Sequence, residues 1–342
     1  MKKSIIITVS SDLSTDQRVL KVAYSCYSNG YDVLLVGRYL KNSQALKLPY
    51  RFKRFRLLFN HSALFYIELN IRFFFLLLFS SSDIFLSNDT DTILANYIAS
   101  KVRRKKLVFD AHELFPEVPE LVSRPKIKRI WEILEDSIFP KLTHSYTVCA
   151  SIADYYNKKY NLKMRVVRNV PQFRTSNNKE KKLYYPNKKI IIYQGALNTG
   201  RGLEWVLNAM PMIENAMLVI IGDGDIKHEL ELQTKNLKIE DKVVFLGKIS
   251  AENLQDYTSS ATLGLCLLED KGLSYFYALP NRIFDYIQAG VPVLATRFPE
   301  IANIVETYKT GTLIDHYEPD YLANTINDLL EFPLNTDHFN SI

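Results

Sequence analysis

Cysteine is scarce in this sequence. Cys26, Cys149 and Cys266 are spread through 342 residues, each more than 100 positions from the next. That spacing leaves no CxxC metal pair and no disulfide framework, so an oxidising compartment is not expected. Glycine (12) and proline (13) are also few, and no short repeat runs through the chain, which excludes collagen-like, mucin-like and coiled-coil classes. Long apolar runs are missing too. The most apolar stretch, Phe73 to Phe79, has seven residues, against roughly 20 for a membrane span. The N-terminal Met1-Lys2-Lys3 and the apolar run to Val9 begin like a signal peptide. The run is short, however, meets Asp12 and Asp16 and has no small-residue cleavage site. It reads as a buried first strand, and the expected location is the cytoplasm.

What is present is a folded composition, 47% hydrophobic and 23% charged, over a length that suggests two domains. The net charge of +6 is unevenly divided. Residues 1–170 hold 27 Lys and Arg against 15 Asp and Glu, a balance of +12; residues 171–342 hold 16 against 22, a balance of −6. Basic residues cluster at Arg51–Arg56, Lys101–Lys106 and Arg124–Arg129. Such clusters are either solvated surface or a site for anionic headgroups, and aromatic residues interleaved with the first favour a membrane surface. No nucleic-acid partner is expected, because no RNP, zinc-finger or helix-turn-helix signature accompanies the charge.

Short apolar strands alternate with helical periodicity twice over. Strands are expected near 4–9, 32–37, 83–87, 106–109, 144–148 and 164–168, then near 189–193, 217–221, 242–246, 261–267 and 292–295. From Asp16 to Tyr27 a helix shows Val19, Leu20, Val22, Ala23 and Cys26 on one face, with Gly30 as its stop signal. This pattern predicts an α/β protein of two doubly wound Rossmann-like domains facing across a cleft. The expected division is a first domain over 1–170, a polar linker over 171–187, a second domain over 188–331 and a short tail over 332–342. Ligands in such sheets bind beyond the carboxyl ends of the strands, so the loops there hold the candidate sites.

Three loops of the second domain stand out. Gly195-Ala196-Leu197-Asn198-Thr199-Gly200-Arg201-Gly202 joins a strand to a helix, and its glycines, helix N-terminus and Arg201 suit a diphosphate; a plain glycine turn is the alternative. In Ile221-Gly222-Asp223-Gly224-Asp225, Asp225 reads as an N-cap. A metal at this Asp-x-Asp spacing, or at Asp89-Thr90-Asp91, is not expected. In the third loop Pro280 precedes a helix whose first turns carry Asn281, Arg282 and Asp285. Asp285 can accept two hydrogen bonds from a ribose diol while Asn281 and Arg282 face phosphate; an Arg282–Asp285 salt bridge within the helix is the alternative.

Together these loops resemble the nucleotide-binding domain of glycosyltransferase family 4 enzymes with the GT-B fold. The Gly-Asp-Gly turn, Val244-Phe245-Leu246-Gly247 and Pro280-x-Arg-x-Phe-Asp-Tyr-x-x-x-Gly-x-Pro292 carry the likeness. Asp16-Gln17-Arg18-Val19, Asn88-Asp89-Thr90-Asp91-Thr92 and Phe109-Asp110-Ala111-His112-Glu113 are similar to N-terminal motifs of bacterial surface-polysaccharide glycosyltransferases. The resemblance implies retaining transfer from a nucleotide-activated sugar, with a UDP-sugar as co-substrate and no further cofactor or metal. It implies that Arg201 and Arg282 neutralise the leaving diphosphate, Asp285 holds the ribose, and Asn281 lines the donor. Backbone near Gly247 and Lys248 would meet the base, and His112 the donor sugar. Gly195 and Gly222 belong to the same donor site. Three positions depart from the family pattern: Tyr277 and Asp285 replace its Glu pair, and Ala196 its first basic residue. The tail holds little helical signal and reads as a shortened form of the family's crossing helix.

The acceptor is expected against the first domain, near Ser11, Asp16, Asp89, Asp91 and Glu113, with loop capping as the alternative for the aspartates. A helix over about 62–78 is more apolar than a one-sided surface helix needs. It is either buried core or interfacial, and the second option fits a glycan acceptor linked to lipid at the inner face of the cytoplasmic membrane. Two other functions are compatible with the same fold. A sugar-nucleotide epimerase would need no acceptor, and a catalytically degenerate GT-B scaffold would turn over no donor.

Overall fold

A computed structural model of the chain describes residues 2–171 and 182–341. Two units divide between Asn169 and Val170. The first runs β1 (Ser4–Asp12), α1 (Gln17–Ser28), β2 (Asp32–Arg38), β3 (Arg51–Phe55), α2 (Ser62–Leu78), β4 (Ile84–Asn88), α3 (Thr90–Arg103), β5 (Lys106–Ala111), α4 (Pro119–Val122), α5 (Pro125–Ile138), β6 (Ser145–Thr147), α6 (Ala150–Tyr160) and β7 (Arg165–Val166). The second runs β8 (Lys189–Gln194), α7 (Leu203–Ala209), β9 (Ala216–Ile221), α8 (Lys227–Asn236), β10 (Val243–Gly247), α9 (Ala251–Thr258), β11 (Leu263–Cys266), α10 (Leu273–Phe276), α11 (Arg282–Ala289), β12 (Val293–Thr296), α12 (Pro299–Tyr308), β13 (Gly311–Ile314) and α13 (Pro319–Glu331).

Each unit has one parallel sheet, in the order β3-β2-β1-β4-β5-β6-β7 and β10-β9-β8-β11-β12-β13. The first strand of each unit therefore lies inside its sheet. Ile6 pairs with Leu34 of β2 and Phe85 of β4, and Ile191 pairs with Leu218 of β9 and Leu263 of β11. Apolar residues on both faces follow from helices covering both sides. Ile5 and Ile7 enter the core under α1, while Ile6 enters the core shared by α2 and α3. In the second unit Ile191 and Ile192 divide in the same way. Strand order reverses direction at β1/β4 and at β8/β11, where the chain leaves a crevice beyond the strand ends.

Several elements differ from expectation. The basic run Arg51–Arg56 supplies β3, an edge strand paired only with β2. Its cations suit an edge, and Arg54 and Arg56 lay their guanidiniums over Tyr39 at 4.6 and 4.8 Å. The sequence reading did not name α10, α12 or β13; α10 and β13, at four residues each, are too short to show a period. Of the linker expected at 171–187, residues 172–181 lie outside the described residues. Residues 182–187 adjoin the second unit: Leu183 is buried in its core and its N–H donates to Ser260 Oγ at 3.1 Å. In the tail, Phe339 is buried in the same core within a 3₁₀ turn over Asp337–Ser341. No described helix is long and apolar enough to cross a membrane.

Candidate active site

The second unit gathers its candidate residues at the carboxyl ends of β8, β9, β10 and β11. The turn after β8 lies against the turn after β9. Gly195 donates to the Ile221 carbonyl, and Gly222 to the Gly247 carbonyl, both at 2.9 Å. A Cβ on Gly222 would lie 1.8 Å from the Gly195 oxygen, at a φ of +146° that side chains rarely adopt. Glycine at 222 thus serves the close approach of two loops. Asp225 does not cap α8. The helix starts at Lys227 with Ile226 in the cap position, because Ile226 donates its N–H to the Leu197 carbonyl and delays the first turn.

Arg282 opens α11, yet its side chain is only 7% exposed. The guanidinium lies over the Tyr193 ring, 4.4 Å from its centroid, and against the bare Cα of Gly195. Tyr193 is fixed beneath it, its hydroxyl donating to the Ala196 carbonyl at 2.7 Å. Arg201 stacks in the same manner on Tyr275, at 4.6 Å. Arg282 Nη1 and Arg201 Nε are buried with no hydrogen-bond partner among the described residues. Burial pushes the Cys266 thiol at the end of β11 up to about 11, with both guanidiniums pulling the other way. Both cations therefore act on one strand end. A buried guanidinium with unsatisfied N–H groups is costly unless an anion meets it.

Asp285, one turn further along α11, is half-buried and accepts from Gln194 Nε2 at 2.9 Å. The Gln194 Oε1 in turn accepts from Thr258 of α9 at 2.7 Å. This relay orients the carboxylate at the end of β8. Asn281 is exposed beside the helix start, with no side-chain cap bond. Lys248, also exposed, sits 3.7 Å from Asp223 and links the loops after β10 and β9. Tyr277 closes α10 and meets Phe276 edge to face.

In the first unit the loops after β1, β4 and β5 converge. Asp89 Oδ1 accepts the His112 backbone N–H at 2.7 Å, and Oδ2 faces His112 Nδ1 at 2.9 Å. His112 Nε2 lies 3.3 Å from Asp110 Oδ2, an ionic contact without hydrogen-bond geometry. Asp110 is fully buried and also bridges to Arg18 of α1. Burial alone would drive the proton off His112, but the Asp89 and Asp110 carboxylates override it and hold its pKa well above the usual value. The two carboxylates thus favour the protonated imidazole, 19% of whose side chain is exposed. Asp89 is no side-chain cap for α3; its carboxylate is committed to His112. Asp91 is buried, and desolvation together with the Asp89 charge pushes it up to about 7. Asp16 does cap α1, accepting from Val19 N at 3.0 Å and from Ser11 Oγ at 2.5 Å. Glu113 is half-buried beside His112 in sequence, and its carbonyl faces the Tyr156 hydroxyl at 3.5 Å. Among the described residues no three His, Cys, Asp or Glu side chains form a metal-holding group.

Sequence reasoning did not single out Tyr193, Tyr275, Gln194 or Thr258. Each acts by supporting a charged residue that was singled out, and nothing in local spacing marks such a partner.

Residues 174–340 match the family model for glycosyl transferases group 1. An uncharacterized glycosyltransferase of Methanocaldococcus jannaschii is 29% identical over 149 residues, 42% of this chain and 36% of that protein. The GalNAc-alpha-(1->4)-GalNAc-alpha-(1->3)-diNAcBac-PP-undecaprenol alpha-1,4-N-acetyl-D-galactosaminyltransferase of Campylobacter jejuni is 25% identical over 268 residues, 76% of this chain and 67% of that protein. The chain spans about a third of the length of the first curated relatives it matches. HepE of Anabaena, solved in complex with UDP and glucose, has a TM-score of 0.73 at 16% identity, covering 96% of this chain and 90% of that one. Parallel sheets in both units and a matching second unit agree: the chain has the GT-B fold, and its residues 174–340 match the glycosyl transferases group 1 family.

Proposed function

We propose that this chain transfers a sugar from a UDP-sugar to a glycan acceptor carried on lipid, with retention at the anomeric carbon, in bacterial surface-polysaccharide synthesis. It works in the cytoplasm, at the inner face of the membrane. The observation that carries the donor half is the buried guanidinium of Arg282 beside the half-buried one of Arg201, each with a buried N–H that meets no partner among the described residues. When the bond between the anomeric carbon and the diphosphate oxygen breaks, that oxygen keeps the electron pair, and negative charge grows on the diphosphate. The acceptor hydroxyl bonds to the same carbon and passes its proton to the departing diphosphate. Fixed cations in a dry site stabilise the growing charge more than water would, because their reorganisation is already complete. Asp285, oriented by Gln194, takes the ribose hydroxyls, and Asn281 lines the donor. Gly195 and Gly222 shape the loops around it, and the backbone at Gly247 and Lys248 meets the base. In the first unit His112, whose protonated form its two carboxylates favour, is the residue that meets the donor sugar, and Ser11, Asp16, Asp89, Asp91 and Glu113 lie on the acceptor side. Support for the acceptor class comes from the Campylobacter relative, whose name specifies an undecaprenol-linked glycan.

The experiment is a thermal-shift panel of UDP, GDP, ADP and CMP, each free and sugar-linked. Binding to the native state alone raises the melting temperature. The expected result is a selective shift with UDP and its sugars. The absence of a shift with every diphosphate nucleotide would overturn the proposal.

A further inference from the structure

We propose that the outward face of α2 and α3 is a docking surface for a bilayer containing anionic lipids. It deepens the membrane side of the proposed function and rests on that reading only for the acceptor.

The 17-residue helix α2 carries two apolar faces. Phe65, Leu69, Phe73 and Leu77 recur every fourth residue and are buried on the sheet. On the opposite side Leu64, Ile67, Ile71 and Phe75 are exposed, at three- and four-residue spacing, so they form one outward stripe. The stripe extends at both ends, to Leu58 (80% exposed) before the helix and Phe79 (81% exposed) after it. A second stripe runs beside it. In α3, Ala95 and Ala99 enter the core that holds α2, while Leu94, Ile98 and Val102 are exposed. Asn70 of α2 ties the helices together, donating to the Asp91 carbonyl at 2.8 Å and accepting from Ala95 N at 3.1 Å. Two adjoining exposed apolar stripes make a continuous patch of the kind that marks an interaction surface.

The charge around the patch selects the partner. Arg103 Nη2 donates to the Ser80 carbonyl at 3.3 Å, which places the C-terminus of α3 beside Phe79. Exposed Lys101, Arg103 and Arg104 therefore rim that end. On the flank of α2, Lys53 lies over the Phe55 ring of β3 at 5.1 Å and carries the positive charge there, since Arg72, over the same ring at 5.8 Å, is paired with Glu68 at 2.7 Å. An apolar stripe with a cationic border fits a headgroup layer of opposite sign above acyl chains. A second copy of the chain fits less well, because a two-fold contact through this face sets like charges against one another. At 17 residues α2 is suited to lie in the interface.

The test is co-sedimentation with vesicles of phosphatidylcholine alone and of phosphatidylcholine mixed with phosphatidylglycerol, at low and high salt. The variants are Ile71→Gln/Phe75→Gln and Lys101→Gln/Arg104→Gln, each checked for a wild-type melting temperature. Wild-type protein should sediment with the mixed vesicles at low salt, and at least about tenfold less with phosphatidylcholine alone or in high salt. Each variant should bind the mixed vesicles at least about tenfold more weakly. The UDP-induced thermal shift should be unchanged in both. Wild-type binding by the variants, or no binding by wild-type protein, overturns the inference. So does self-association that is lost in the variants while vesicle binding persists, which assigns the face to a second copy. If wild-type protein shows no UDP shift, the transfer reading falls while the vesicle result still decides this one.

Discussion

Asp89 grips His112 at two points, its carboxylate accepting the backbone N–H at 2.7 Å and facing Nδ1 at 2.9 Å. The grip uses a backbone at φ 61°, ψ 167°, a region almost confined to glycine. Holding Asp there costs on the order of 1–3 kcal/mol, which the surrounding contacts must offset. The result is an imidazole held in place, its protonated form favoured, with its second nitrogen turned toward Asp110.

If that charge serves transfer, turnover should fall as pH rises through the elevated His112 pKa. Asp89→Asn removes the first-named carboxylate and should move the fall to lower pH. His112→Ala should lower kcat more than donor affinity. A pH profile of kcat for the three proteins checks this, and coincident profiles for wild type and Asp89→Asn would return Asp89 to a purely structural role.

Arg282→Ala and Arg201→Ala should each weaken nucleotide-sugar binding. Charge-assisted hydrogen bonds contribute about 1.5–3 kcal/mol, so the loss should be roughly 10- to 100-fold in Kd. Isothermal titration with UDP measures it. Wild-type affinity in both variants would sink the assignment of the diphosphate site.

Asp285 depends on Gln194, so Gln194→Leu should mimic part of Asp285→Ala. The expected loss is about 1 kcal/mol for Gln194→Leu, the contribution of one hydrogen bond. A comparison of UDP with deoxy-UDP separates the roles. Asp285→Ala should erase any preference between them, and a preference that survives intact would move the ribose contact elsewhere.

Stability of the first unit should fall between about pH 4 and pH 7. Burial raises both Asp91 and Glu135 to about 7, Glu135 lying under Thr90, Tyr156 and Tyr160. Unfolded carboxyls titrate near 4, so from there upward the unfolded chain gives up protons that the folded chain keeps. The contribution is complete below about pH 4 and is lost as pH rises through about 7. His112 has the same sign at higher pH, since its raised pKa favours the folded state below that value. Asp110 and Asp12 act oppositely: their lowered values favour folding above the ordinary carboxylate range and fail only in acid. Asp91→Asn and Glu135→Gln should each flatten the decline, on the order of 1–3 kcal/mol. Thermal melts across pH check this, and parallel curves for wild type and variants would refute it.

Gly222→Ala should destabilise the second unit by more than about 2 kcal/mol, since its Cβ would lie 1.8 Å from the Gly195 oxygen. Urea titration measures the loss. A variant as stable as wild type would mean the two loops separate freely.

The alternation of short apolar strands and helices set the α/β class, because the periods of 2 and 3.6 are local properties of the chain. It also set which loops follow strands, and so where Arg201, Arg282, Asp285 and His112 fall. The signs of charge along the chain were equally legible, including the basic runs. Local sequence did not reveal what those residues meet. Arg282 reads as an exposed helix start, and only the sheet beneath it supplies Tyr193 and the bare face of Gly195. Asp225 reads as a cap, and a carbonyl 28 residues earlier, that of Leu197, displaces it. The sequence places His112 after a strand, and only the fold brings the Asp89 and Asp110 carboxylates that raise its pKa. Arg51–Arg56 reads as a surface cluster and becomes an edge strand. Burial and ionisation depend on neighbours distant in sequence, so tertiary structure alone decides them.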